Sequence, residues 1–157
     1  MSRTTPATLA LTRAGVAFEL ATYDYDPNAE RVGLQAAEAL AVAPDEVLKT
    51  LMVLVDGRPA CVVLASDREV SMKKLAAALG GKAAEMMKPA DAERVTGYKV
   101  GGVSPFGQKK RVRTVLDAAA LKKSQVFVNG GQRGLQARLA PADLLRLLDA
   151  TVTDVSA

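Results

Sequence analysis

The segment GYKVGGVSPFGQKKRVR, residues 97–113, sets two adjacent glycines and a Pro-Phe-Gly turn in front of four cationic side chains. Glycine lets a backbone approach a ligand closely, and lysine and arginine hold anions, so the stretch suits an anion-bearing ligand. The amides of Gly101 and Gly102, with the Ser104 hydroxyl beside them, could hold a carbonyl oxygen or a ribose hydroxyl. The same residues could also form no more than a tight turn between strands. Gly102 to Gly107 has the glycine spacing of a Walker A loop. Gln108, however, stands where that loop needs its lysine, and Pro105 removes an amide, which disfavours a nucleoside triphosphatase. Lys49, in EVLKTLMVLVD, opens a run so apolar that a strand buried on both faces is expected. Its amine must snorkel to the surface or sit at the mouth of a pocket. Tyr23 ends an earlier strand and could hydrogen-bond a ligand or simply be half-buried. Asn129 and Gln136, in VNGGQRGLQARL, are neutral amides that bind ligands but cannot act as general bases at neutral pH, and their stretch also reads as a glycine-rich hairpin.

Much chemistry is excluded by composition. The 157 residues contain no histidine and one cysteine. Histidine triads, the HExxH site, cysteine metal clusters and internal disulfides are therefore impossible, and no metal or cofactor is expected. Cys61 lies in the apolar run ACVVLAS, where a buried, inert thiol is expected. Catalysis is left to lysine, carboxylates, hydroxyls, backbone dipoles or the substrate's own groups. The net charge of +4 is unevenly spread: residues 97–138 hold nine cations against the single acid Asp117, and the rest of the chain is −4. A cationic excess over that length suggests a polyanionic partner, above all nucleic acid. Three tyrosines, three phenylalanines and no tryptophan disfavour a sheet that reads single-stranded bases by stacking. No apolar run is long enough to span a bilayer, and the polar start MSRTTPATLA lacks a signal-peptide core, so a cytoplasmic protein without membrane contact is expected.

These residues must be positioned by alternating short elements in what reads as one domain, 1–157. TPATLALTRAG predicts a helix capped by Thr5, with Pro6 in its first turn and Gly15 as its stop. VAFELATYDYD predicts a strand, residues 26–33 a polar loop and LQAAEALAV a helix. VLKTLMVLVDGRPACVVLAS predicts two strands joined tightly at Asp56-Gly57. Ser71 caps a helix whose Met72, Leu75, Ala76 and Leu79 share a face, and the glycine pair 80–81 ends it. A short strand KAAEMM and a helix from Pro89 follow. Strands are expected at 111–117, 125–129 and 134–139, then a helix PADLLRLLDA and a last strand TVTDVS. This order argues for a mixed α/β fold rather than a regular parallel βαβ series.

Taken together, KTLMVLV, GYKVGGVSPFGQKKR and VNGGQRGL, in this order and spacing, resemble the YbaK/EbsC family of aminoacyl-tRNA editing domains. These are freestanding relatives of the editing domain in bacterial prolyl-tRNA synthetase. The resemblance covers essentially the whole chain and lies nearest the subgroup of Cys-tRNA(Pro) deacylases. It implies a mixed, partly open barrel-like sheet with helices packed outside. It implies that Lys49 is the essential catalytic lysine and that Gly101 and Gly102 grip the aminoacyl-adenosine end. Tyr23 would be the pocket tyrosine, with Ser104, Asn129 and Gln136 further substrate contacts. Lys109, Lys110, Arg111 and Arg113 would hold tRNA, and prolyl-tRNA synthetase becomes a candidate partner. Some members carry serine at the position of Asn129 and aspartate at that of Gln136. In the cysteine-specific members the substrate thiol attacks its own ester, which suits a chain without histidine. The resemblance leaves open hydrolysis of another mischarged tRNA, such as Ala-tRNA(Pro), and a non-catalytic tRNA- or synthetase-binding module.

Overall fold

A computed structural model describes residues 4–28 and 32–157. Helix α1 (Pro6–Ala14) begins in a reciprocal cap: Thr8 N–H donates to Thr5 Oγ1 at 3.0 Å, and Thr5 N–H to Thr8 Oγ1 at 2.8 Å. Both threonines thus satisfy amides that the first turn leaves open. Strand β1 (Glu19–Thr22) and helix α2 (Val32–Leu40) follow. The helix starts within the segment expected as loop, of which residues 29–31 lie outside the described residues.

Strands β2 (Leu48–Val55) and β3 (Arg58–Ala65) form the expected hairpin. Asp56 and Gly57 both have positive φ, 49° and 81°, the conformation that a two-residue turn needs to match the strand twist. Helix α3 (Met72–Ala78) is capped by Ser71 Oγ, which accepts from Lys74 N–H at 3.2 Å. Strand β4 (Ala84–Met86) and helix α4 (Pro89–Thr96) lead into the glycine segment, and β5 (Arg113–Asp117) leaves it. Strands β6 (Val126–Asn129) and β7 (Leu135–Leu139), helix α5 (Pro141–Leu148) and β8 (Thr151–Thr153) complete the order.

The strands make two sheets, β1-β7-β6 and β4-β2-β3-β5-β8. The second is mixed: β3–β5 and β5–β8 pair in parallel, whereas β2–β3 and β2–β4 are antiparallel. A single parallel bridge, Val47 to Phe127, links the start of β2 to β6. The result is a curved, incompletely closed sheet with helices outside, and its interior is filled by side chains such as Leu11, Val63, Leu116, Leu139 and Leu144. Contrary to the expectation of burial on both faces, β2 is only partly covered at Lys49, Thr50 and Leu51. These three residues line an open cavity, which leaves that part of the strand without a packing layer.

Candidate active site

Register brings the distant polar residues into one row. Lys49 and Asn129 lie two residues beyond the Val47–Phe127 bridge on their respective strands. Asn129 pairs with Gln136, and Gln136 with Ala21, two residues before Tyr23. Because paired residues share a face and side chains alternate along a strand, Lys49, Asn129, Gln136 and Tyr23 occupy the same side of the sheet. A cavity of about 440 Å³ opens there. Lys49, Gly101, Asn129 and Gln136 line it, with Ser66 and Glu69 among its other polar residues and Met52, Met86, Met87, Val100 and Val103 among its apolar ones.

Lys49 is 21% exposed, and its Nζ lies 3.9 Å from Glu69 Oε1. Glu69 is the only acid lining the cavity among the described residues, and sequence reasoning did not single it out. Gly101 lines the cavity with φ of +89°, and a Cβ there would fall 2.5 Å from the Tyr25 hydroxyl. Its N–H has no protein acceptor among the described residues. Asn129 holds this loop: Nδ2–H donates to Gly101 O at 3.3 Å, and Oδ1 accepts from Gly131 N–H at 2.7 Å and Gln132 N–H at 3.2 Å. The Tyr23 hydroxyl and Gln136 Oε1 are both buried without a hydrogen bond among the described residues. Burial pushes the Tyr23 phenol above its ordinary pKa and the nearby Gln136 amide pulls against it, although the two do not meet in hydrogen-bond geometry.

Other predicted residues sit elsewhere. Gly102 N–H donates to Lys99 O at 2.8 Å, so this amide is committed within its own turn rather than offered to the cavity. Gly102 is packed so closely that a Cβ would lie 2.9 Å from Arg133 N, which is reason enough for a glycine. Ser104 is fully buried, and its Oγ accepts from Phe106 N–H at 3.2 Å. It shapes the turn and does not line the cavity. Tyr23 is not among the lining residues either. Lys109, Lys110, Arg111 and Arg113 are exposed beyond the turn and outside the cavity, and the Arg113 guanidinium donates to Leu79 O at 3.0 Å. Cys61 is buried on β3, and desolvation pushes its thiol up to about 12, so it is protonated at neutral pH. No cluster of potential metal ligands occurs among the described residues, and no helix there is long and apolar enough to cross a membrane.

The aminoacyl-tRNA editing domain family matches residues 26–147. The chain belongs to that family. This editing domain is 36% identical, over 76% of its length and 74% of the relative's, to an Enterococcus faecalis (strain ATCC 700802 / V583) protein named "Putative Cys-tRNA(Pro)/Cys-tRNA(Cys) deacylase EbsC". It is 25% identical to the Escherichia coli (strain K12) "Multifunctional Ser/Thr-tRNA deacylase ProXp-y", over 87% of this chain and 83% of that one. Its fold is that of a solved structure described as "a putative trans-editing enzyme for prolyl tRNA synthetase", with a TM-score of 0.85 at 23% identity and 99% of each chain covered.

Proposed function

We propose that this editing domain is a trans-acting deacylase that removes cysteine wrongly attached to tRNA(Pro), and also acts on Cys-tRNA(Cys). The observation that carries the reading is one cavity with a lysine and an uncommitted glycine amide on its walls and neither a cysteine nor a histidine among its lining residues. The aminoacyl ester enters with its carbonyl oxygen toward Lys49 and the Gly101 amide. The substrate thiol gives up its proton to water, and its sulfur attacks the ester carbonyl carbon. Negative charge gathers on the carbonyl oxygen, where a cation and a fixed dipole stabilise it. As the tetrahedral intermediate collapses, the carbon–oxygen bond to the ribose breaks. The ribose oxygen takes up a proton from water or Lys49, and a cyclic thiolactone leaves. The protein's contribution is to hold the thiol in an attacking geometry and to supply the oxyanion donors. Apolar Met52, Met86 and Met87 suit a small side chain without charge. The exposed cations Lys109, Lys110, Arg111 and Arg113 would hold the acceptor stem, and prolyl-tRNA synthetase would present the tRNA.

Glu69 favours a second reading. A carboxylate beside Lys49 could take a proton from water, making the reaction a hydrolysis open to Ala-tRNA(Pro). Deacylation of Cys-, Ser- and Ala-tRNA(Pro) by the purified protein separates the cases. The substrate-thiol reading expects rapid loss of cysteine as thiolactone and much slower loss of serine, whose hydroxyl offers far less anion at neutral pH. Equal rates for cysteine and serine indicate water as the nucleophile. Binding without deacylation of any of them leaves a non-catalytic tRNA-binding module.

A further inference from the structure

Beside the cavity, two side chains outside the proposed chemistry form a stack. The Arg133 guanidinium carbon lies 5.3 Å from the centroid of the Tyr25 ring, and Arg133 Nε–H donates to Val100 O at 2.8 Å. Val100 and Gly101 are themselves walls of the cavity. The Tyr25 hydroxyl lies against Gly101, where any Cβ would collide with it. The pair is thus anchored from below by the cavity's own rim, while Arg133 remains exposed above. Tyr25 and Arg133 come from separate stretches, one following β1 and the other in the β6–β7 turn. A salt bridge does not explain the arginine, since no acid pairs with it among the described residues.

We propose that the Tyr25–Arg133 stack, one residue from the cavity wall, is a platform for the nucleobase that precedes the aminoacylated adenosine of a tRNA acceptor end. A planar guanidinium backed by an aromatic ring presents a flat cationic face, on which a base stacks without regard to its identity. Its position suits an RNA strand whose last nucleotide has entered the cavity, because the next base then lies at the rim. Val100, 43% exposed, extends the apolar part of the same rim. The platform would fix the direction in which the strand enters, and so the pose of the ester inside. The proposal rests on the deacylase reading for the identity of its ligand, but stacking can be measured without any deacylation.

The test compares the full-length protein binding an uncharged acceptor-stem minihelix ending in CCA with the same RNA made abasic at the penultimate nucleotide, at fixed salt. The wild-type protein is expected to bind the abasic RNA about tenfold more weakly, the scale of one stacked base. Tyr25→Leu and Arg133→Lys should bind the two RNAs alike, whereas Tyr25→Phe, which keeps the ring, should retain the difference. Matched circular dichroism and melting curves exclude unfolding as the cause. Equal binding of both RNAs by the wild-type protein, or an undiminished penalty in Tyr25→Leu, overturns the platform. A Tyr25-dependent penalty in a protein that deacylates no aminoacyl-tRNA supports the platform and sinks the deacylase reading. Deacylation with no penalty does the reverse.

Discussion

Lys49 is held by register rather than by a dense shell. It pairs with Leu64 on β3, and its side chain remains one-fifth exposed beside Glu69. Truncation removes the charge from the cavity, and the open cavity beside Lys49 lets water take the place of its stem. Lys49→Ala is expected to slow deacylation by about 10²-fold or more, the scale for one oxyanion donor, with little change in melting temperature. Full activity in the folded variant would remove Lys49 from the mechanism. Cys61 makes the complementary case. Its thiol is pushed up to about 12 by burial, well above the ordinary ~8.5 of an unfolded chain. The folded state holds this proton more tightly, so the associated stability is complete below about pH 8.5 and is lost as pH rises toward the folded value. Cys61→Ala should keep its activity, lose about 1 kcal/mol at neutral pH and flatten the decline of stability above pH 9. Urea titrations of both proteins at pH 7 and pH 10 measure this. Lys49 stood out as a cation at the head of an apolar strand, but that stretch alone left snorkelling and a pocket mouth open, and only the family resemblance pointed to the pocket. Glu69 did not stand out, because only the return of β3 along β2 carries it back beside Lys49.

At the scale of elements, the site depends on how the α4–β5 connection is fastened to the β6–β7 turn. Tyr98 OH donates to Phe106 O within the connection, and Asn129 ties Gly101 to the turn. Asn129→Asp tests the tie selectively. The carboxylate can still accept from Gly131 and Gln132, but it can no longer donate to Gly101 O. Deacylation should fall about tenfold, and exchange of the hydrogen-bonded Val100 and Gly102 amides should quicken while the β6–β7 turn stays protected. Unchanged exchange at Gly102 would show that the loop holds its shape unaided. Local rules made many of the elements readable: the Thr5 cap, the Asp56-Gly57 hairpin and the Pro89 and Pro141 helix starts each depend on a few neighbouring residues. The division into two sheets was not readable at that level. The β3–β5 and β1–β7 pairings join residues far apart in sequence, and no short segment encodes such a choice. The Ser104 turn shows the same limit. A serine in a glycine-rich stretch fits a ligand loop and a self-bonded turn equally well, and only the burial of Ser104 and its bond to Phe106 N–H decide between them.

Across the whole molecule, charge is sorted further than composition alone suggests. Asp117, the one acid of the cationic segment, is 1% exposed and accepts from Val155 N–H at 3.0 Å, so it does little to offset the surface. Lys123 and Arg138 turn to acids outside the segment, Asp45 at 2.6 Å and Glu19 at 3.9 Å. Lys109 and Lys110 are exposed and make no ion pair among the described residues. They follow the Ser-Pro-Phe-Gly turn, and their backbone amides donate to Thr96 O and Val95 O, which fixes them at the end of α4. Fixed, unpaired cations are suited to displacing counterions from phosphate. If each neutralises one phosphate, replacing both lysines by glutamine lowers the slope of log affinity against log salt by about 1.4 to 1.8. Affinity should weaken most at low salt and converge with that of the parent as salt rises. The melting temperature should hardly move, since neither side chain is buried. Binding isotherms for tRNA(Pro) at four or five salt concentrations measure the slope directly. A parallel displacement of the two lines would mean that the lysines act through the loop's shape, and coincident lines would leave them as solvated surface.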